Sequence, residues 1–382
     1  MDVSDEFGSY AGRLLACLGA EVIRIEVPGR PAWPASAPVA RVGDENVSLF
    51  DAYVSAGKRS VALDPETDEG RRALGGLLAS ADVLLSDAHS VPAAALPDEG
   101  SRLVHITITP YGRGQDPKWG PVDDLLVMGA GGLLHLGGYT DSGPVGAFGG
   151  QSRFASGIFA TVAALVGLIE RERTGEALSA DVSAQEAVAQ GLEDSVPAYV
   201  LTGSIRQAQG DDVREAGSGI YRCADGYVSM LAGRLGTAVA WASLVEWLQQ
   251  SEPSASVLTD PSWSEFAHRQ SPEASAEFRR IFETFASRHT KQALYHEAQA
   301  RQIALSPVNT VADLLGDDQL AEREFFHRFH DARLGAEVVA PGPPFRMSLT
   351  PPLSLGSAPV PGADTAAVLA ELAAGIGEAG SS

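Results

Sequence analysis

AGRLLACLGAEVIRIEVPG, residues 11–29, is the stretch whose reading decides the fold. Arg13, Leu14, Leu15 and Leu18 have helical spacing and Gly19 is a C-terminal stop, so the stretch opens on the end of a helix. EVIRIE, 21–26, then alternates apolar and polar side chains as a half-buried strand does. Pro28 and Gly29 end it, and a Pro/Ala-rich loop through Pro38 follows. Outward from this point the pattern repeats. Residues 60–63 predict a second strand, 68–80 a helix with acids in its first turn, where the helix dipole favours them. Residues 81–85 predict a third strand and LVHITIT, 103–109, a fourth. Strands spaced by helices predict a parallel, doubly wound sheet and an α/β fold.

A short helix is expected over 124–134, capped by Asp123 or Asp124, and a Gly-rich span runs from 129 to 150. The long helix from about 154 to 173 carries Ile158, Val162, Leu165, Leu168 and Ile169 at the period of a helix packed on a core. A strand at 178–182 and a helix at 183–199 complete this part. From about residue 203 the pattern changes. Residues 218–223 and 227–231 read as a hairpin across Ala224–Asp225–Gly226, and helical stretches follow near 236–250, 273–287 and 290–302. Beyond 307 the chain reads as short extended and loop segments, with a disordered Gly-Ser-Ser at 380–382.

Composition narrows the function. With 382 residues, 45% of them hydrophobic, the chain can bury the core of two domains or one elaborate one. Its apolar stretches are broken well short of the ~20 residues of a membrane span. MDVSDEFGSY, 1–10, carries acids where a secretory signal needs basic residues, so a cytoplasmic protein is expected. A net charge of −21 disfavours nucleic acid and anionic membranes as partners. Cys17 and Cys223 stand far apart with no ligand spacing; they are expected to be small buried residues, and no metal site is expected.

Several segments together resemble the family III CoA-transferases, the group of formyl-CoA transferase, carnitine CoA-transferase and alpha-methylacyl-CoA racemase. They are residues 11–29, GKRSVALD (57–64), ADVLL (81–85), WGPVDDLLVMGAGG (119–132), the helix ending in RERTG (171–175), DVSAQEA (181–187), PVNTVADLLGDDQLAEREFF (307–326) and PGPPFRMSLTPP (341–352). Each is mostly small and apolar residues; their ordered set is specific. The resemblance implies a Rossmann-like large domain made from residues 1–200 and about 305–382, with a smaller domain inserted at about 205–300. It also implies an interlocked homodimer, and coenzyme A or an acyl-CoA as substrate. Relatives have an additional opening strand leading into the equivalent of 2–4, so the start is expected either to be truncated or to build that edge of the sheet differently.

The resemblance further implies a nucleophilic aspartate four residues ahead of the glycine of the long helix. Counting back from Gly157 reaches Arg153, and GGQSRFASG, 149–157, contains no acid. An arginine is always protonated and cannot be acylated. The racemase branch implies a histidine and an aspartate, whose positions are Asp123 and Arg153 here. His135 sits on a Leu-Leu-His-Leu stretch and is expected to be packed. The polar and basic segment after the third strand reads Asp87-Ala88-His89-Ser90-Val91, and a lysine of some transferases is replaced by Pro121. Arg24, Lys58 and Arg59 are the expected nucleotide contacts.

The remaining residues predict a different site. Arg153, beside Gln151 at a helix start, suits a substrate carboxylate held by two hydrogen bonds. Asp123 is a candidate general base or ion-pair partner of Arg153, and Tyr139 a candidate acid or hydrogen-bond donor. The expectation is a CoA-transferase-like enzyme working on an acyl-CoA or carboxylate by non-covalent chemistry. The alternatives are an isomerase, lyase or cyclase acting on a carboxylate without CoA, or a catalytically inactive binding homologue.

Overall fold

The computed structural model describes residues 1–29, 38–87, 90–91, 101–114, 122–139, 141–208, 215–233 and 238–379. The Pro/Ala-rich loop at 30–37, His89, Pro121 and the terminal 380–382 lie outside the described residues. The chain divides into two compact units, one of residues 1–137, 144–206 and 318–382, the other of 138–143 and 207–317.

The first unit opens with β1 (Asp2–Val3), α1 (Ser9–Cys17) and β2 (Ile23–Glu26), followed by the hairpin β3 (Val39–Val42) and β4 (Glu45–Ser48). Then come α2 (Leu49–Ser55), β5 (Arg59–Ala62), α3 (Asp68–Ser80), β6 (Val83–Ser86), β7 (Val104–Thr109), α4 (Asp124–Ala130), α5 (Gln151–Thr174), β8 (Ser179–Ser183), α6 (Ala184–Ala189) and α7 (Ser195–Thr202). The expected parallel sheet forms in the order β5-β2-β1-β6-β7-β8. Both faces of the sheet are covered: on β7, Val104, Ile106 and Ile108 of one face and Thr107 and Thr109 of the other are all buried. β1 is only two residues long, yet it is central and not at an edge: Asp2 pairs with Arg24 on one side and Leu85 on the other.

α5 corrects the expected packing face. Its buried stripe is Gly157, Ala160, Thr161, Ala164, Gly167 and Arg171, whereas Ile158, Val162, Leu165 and Ile169 are exposed. The cause is close approach. A Cβ on Gly157 would stand 2.8 Å from Tyr10 Cβ, and one on Gly167 would stand 2.5 Å from Val104 Cγ1. Only small residues fit there, so the large ones face outward. By length and composition α5 is apolar enough to cross a membrane, but its small-residue face packs against α1 and β7. The single helix expected over 183–199 is broken into α6, a short 3-10 turn and α7. Pro197 falls in the first turn of α7, where its missing N–H costs nothing, but it could not sit inside a continuous helix.

The second unit pairs β9 (Ser218–Cys223) with β10 (Gly226–Leu231) as the expected hairpin, closing at Cys223↔Gly226. After α8 (Ala238–Gln249), α9 (Phe266–Arg269), α10 (Pro272–Ala286) and α11 (Lys291–Ala300), β11 (Ala304–Pro307) joins the other edge of β10, and α12 (Val311–Leu315) follows. Its core is aromatic: Tyr221, Trp263, Phe278 and Phe282 are fully buried, and the rings of Trp241 and Trp263 stack at 6.0 Å.

The chain then returns to the first unit as α13 (Asp318–Glu322), the hairpin β12 (Phe326–Asp331) and β13 (Ala336–Pro341), and a helix absent from the expectations, α14 (Thr365–Ala379). The start of α14 covers the edge strand β5. Ser60 N–H donates to Asp364 Oδ2 (2.8 Å) and Ala62 N–H to Thr365 Oγ1 (2.8 Å), which satisfies donors that an open edge would leave unpaired.

Beneath α1 lies a buried ion pair. Lys58 Nζ donates to Asp2 Oδ2 (2.7 Å) and to the Ser9 carbonyl (2.8 Å), and both charged side chains are wholly buried. Burial alone would raise the Asp2 carboxyl; Lys58 and Arg24 outweigh it and hold the group below its ordinary value. Replacing Lys58 with alanine would strand a buried carboxylate. Lys58→Ala is expected to lower stability by about 3–5 kcal/mol, measured by denaturant unfolding against the wild-type chain.

Candidate active site

In the sheet order β1 and β6 are neighbours, and from them the chain continues in opposite directions, to β2 and β5 on one side and to β7 and β8 on the other. Open α/β sheets receive ligands beyond the C-terminal ends of their strands at such a divide. Asp5 and Glu6 follow β1 there, and Ser86 and Asp87 stand at the end of β6.

The start of α5 is fastened beside these residues. Gly149 and Gly150 have φ of +93° and +69°, a left-handed path that swings the chain into the helix and suits glycine. Ser152 donates through both its N–H (2.8 Å) and its hydroxyl (2.6 Å) to Asp124 Oδ1, joining the first turns of α4 and α5. Ser156 Oγ donates to the Phe7 carbonyl (2.7 Å), which ties α5 to the segment after β1. Phe154 meets Tyr10 edge to face at 4.8 Å between ring centroids.

Held in this way, Arg153 points at Glu6. Its Nη2 lies 2.5 Å from Glu6 Oε2, and the two side chains are only 12% and 17% exposed. The guanidinium also stands 5.3 Å from the centre of the Phe50 ring. Arg153 Nε is buried with no hydrogen-bond partner. Burial pushes the Glu6 carboxyl up; Arg153 opposes this, and the nearby Asp123 and Asp124 reinforce it. Asp5 retains some exposed surface, yet burial raises its carboxyl to about 7, with Asp87 and Glu6 adding to the effect.

The expected site residues separate on inspection. Arg153 lies in the first turn of α5, and its ion pair is with Glu6 and not with Asp123. Asp123 caps α4, accepting from Leu126 N–H at 3.1 Å. Gln151 Nε2 donates to the Phe148 carbonyl at 2.8 Å. Tyr139 belongs to the second unit, where it is exposed and its N–H donates to Ser142 Oγ. The three expected nucleotide contacts are engaged within the first unit: Lys58 by Asp2, Arg24 by Ser9 Oγ (2.9 Å) and by Glu26, and Arg59 by Glu21 and by both carboxylate oxygens of Glu371. His135, expected to be packed, is exposed, because its stretch winds into a short 3-10 turn at the surface. Cys17 and Cys223 are buried and free of disulfides.

Glu6 was absent from the expectations. It is remote from residue 153 in sequence. The usable signal was topological, since acids that directly follow a central strand stand at the binding edge of the sheet. A pocket of about 940 Å³, lined by Leu15, Val22, Leu77, Leu85, Leu168 and Leu372 among others, holds none of the residues at the start of α5. Among the described residues no group of three or more His, Cys, Asp or Glu is placed to hold a metal ion.

The family profile "CoA-transferase family III" matches residues 6–365, and the chain belongs to that family. Among its relatives is the succinyl-CoA:(R)-benzylsuccinate CoA-transferase subunit BbsE of Thauera aromatica, 32% identical over 90% of this chain and 86% of that one. Another is the succinyl-CoA:mesaconate CoA-transferase of Haloarcula hispanica, 26% identical over 97% and 94%. A CAIB/BAIF family protein from Brucella suis has the same fold, with a TM-score of 0.83 and 22% identity, covering 97% of each chain. The chain is thus a homologue of enzymes that move CoA between carboxylic acids.

The raised Asp5 carboxyl makes stability depend on pH. Folding holds the proton on, so the cost of ionising Asp5 is absent below the pKa of an exposed aspartate, near 4, and complete above about 7. Asp5→Asn keeps an oxygen for the Phe7 N–H (2.9 Å) and removes that ionisation. The variant is expected to melt with the wild type at pH 4 and above it at pH 8, which thermal unfolding across this range would check.

Proposed function

We propose that the protein transfers CoA from a thioester of the succinyl-CoA type to a free carboxylate, in a dimer of two chains. The observation that carries the reading is Arg153. In the first turn of α5, nearly buried and already bound to the Glu6 carboxylate, it has the geometry and the low-dielectric setting to hold a substrate carboxylate. The succinyl-CoA donors named for two relatives support a dicarboxylic acyl group, whose second carboxylate would take this place. CoA would lie along the C-terminal edge of the sheet. That edge carries Asp5, Glu6, Asp87, Asp123 and Asp124, so its charge does little to attract the CoA phosphates; Arg113, exposed after β7 and donating to Thr107 Oγ1, is a cation at that edge.

A dimer is supported by the outward face of α5 and by α7. Val162, Val166, Ile169, Val200 and Leu201 are all more than half exposed, far more than scattered surface residues would require. The second chain is a copy of this one in the first reading. The word "subunit" in the name of the Thauera relative favours a second, in which a related chain takes that place.

The test is CoA exchange. The protein is incubated with succinyl-CoA and a series of mono- and dicarboxylates, and new thioesters are followed by chromatography. Exchange supports the reading; hydrolysis alone, or no reaction, opposes it. Arg153→Gln is expected to raise the KM for the dicarboxylic substrate about 10- to 150-fold, the loss of a charged hydrogen bond worth about 1.5–3 kcal/mol. Ile169→Asp is expected to shift light scattering from the two-chain towards the one-chain mass.

A further inference from the structure

The sequence lacks a carboxylate where the family resemblance implies the covalent step, but the fold supplies one from elsewhere. We infer that Glu6 is the residue that receives the acyl group and carries CoA. This assignment rests on the transferase reading given above.

Three features favour chemistry over structure for the Arg153–Glu6 pair. A guanidinium in the first turn of a helix opposes the helix dipole, which favours anions there. A pair enclosed at 12% and 17% exposure has lost much of its hydration, and Arg153 Nε is buried without a partner. Apolar residues of similar volume would fill the same space at equal or better stability. The pair also stands at the divide between β1 and β6, beside the fastened start of α5. A carboxylate shielded from water there is a stronger nucleophile than one in solution, and burial is the leading influence on Glu6.

The reaction closes without any further reagent. A Glu6 oxygen attacks the thioester carbonyl, the C–S bond breaks, and CoA leaves as its thiolate, giving a mixed anhydride. The thiolate attacks the Glu6 carbonyl carbon, forming a glutamyl-CoA thioester and expelling the donor acid as a carboxylate. Arg153, freed of its partner's charge once Glu6 is acylated, holds the acyl group's second carboxylate. The acceptor carboxylate then attacks the glutamyl thioester, and CoA thiolate leaves. The thiolate attacks the acceptor's carbonyl in the new anhydride, which yields the product thioester and restores the Glu6 carboxylate. No proton is consumed overall. One donor-derived acid carries away a Glu6 oxygen in each cycle, and one acceptor oxygen replaces it.

The test traps the thioester. The full-length protein, with any chain that co-purifies with it, is mixed with succinyl-CoA, reduced with borohydride and digested. The expected result is a primary alcohol in place of the carboxyl of Glu6, absent from Glu6→Gln. E6Q is expected to lose CoA exchange by a thousandfold or more, on the order of the loss seen when other enzymes lose their nucleophile. Glu6→Asp keeps a carboxylate one methylene short and is expected to retain part of the exchange, which separates chemistry from misfolding. The double change E6Q with Arg153→Asp is expected to move the trapped alcohol to position 153. Exchange at the wild-type level in E6Q, or an adduct at another residue or on a second chain, overturns the assignment of Glu6 while the transferase reading stands. A wild-type preparation that exchanges nothing overturns both.

Discussion

The stripe of small residues on α5 is the constraint on which the placement of that helix's first turn depends. Gly157, Ala160, Ala164 and Gly167 let a 24-residue helix lie so close to α1 and β7 that any added methyl at the two glycines would collide with its neighbours. Close packing of this kind fixes the helix in translation and in rotation. Once rotation is fixed, the side chain in the first turn has one direction to point, and residue 153 is delivered to the segment after β1. The same rotation turns Ile158, Val162 and Ile169 away from the sheet. The site and the exposed apolar face are therefore two results of a single packing decision.

At the start of α5 a cation and an acid face each other, Arg153 on the helix and Glu6 after β1. The family resemblance implies an acid on the helix; here the helix carries the cation and the strand end carries the acid. Electrostatically the pair remains near neutral, but Asp123 and Asp124 stand beside it with further negative charge, and both have fixed structural duties. Asp124 fastens Ser152, and Asp123 caps its own helix. Their carboxylates cannot be removed without loosening the frame that aims Arg153.

Much of the fold was legible because local rules governed it. α3 has the predicted bounds, Asp68–Ser80, since its capping Thr67 and the Leu74, Leu77 and Leu78 face all lie within the segment. The hairpin of β9 and β10 was equally plain from its turn and its alternation. What escaped was non-local. β1 is too short to show a period, and its central place follows only from partners at residues 24 and 85–86. The outward face of α5 was misread because helical periodicity reports that a stripe exists, not which of two stripes a sheet will accept when one is made of glycine and alanine. Glu6 escaped for the same reason as β1. Arg153 was singled out because the family pattern is local around Gly157. Arg24, Lys58 and Arg59 were read as ligand contacts because a sequence shows cations without showing the carboxylates, Asp2, Glu26, Glu21 and Glu371, that fold against them.

The return of residues 318–382 to the first unit has a bearing on how the protein is made. The second unit draws almost all its residues from one continuous run, 207–317, so it can close as soon as that run has left the ribosome. The first unit cannot. The edge strand β5 meets the residues that satisfy its outer donors, Asp364 and Thr365, only some three hundred positions later. Until those positions are synthesised, an open strand and an unfinished core must be kept from pairing elsewhere. The part of the protein that begins first is thus finished last, and its exposure during synthesis is set by the speed of translation.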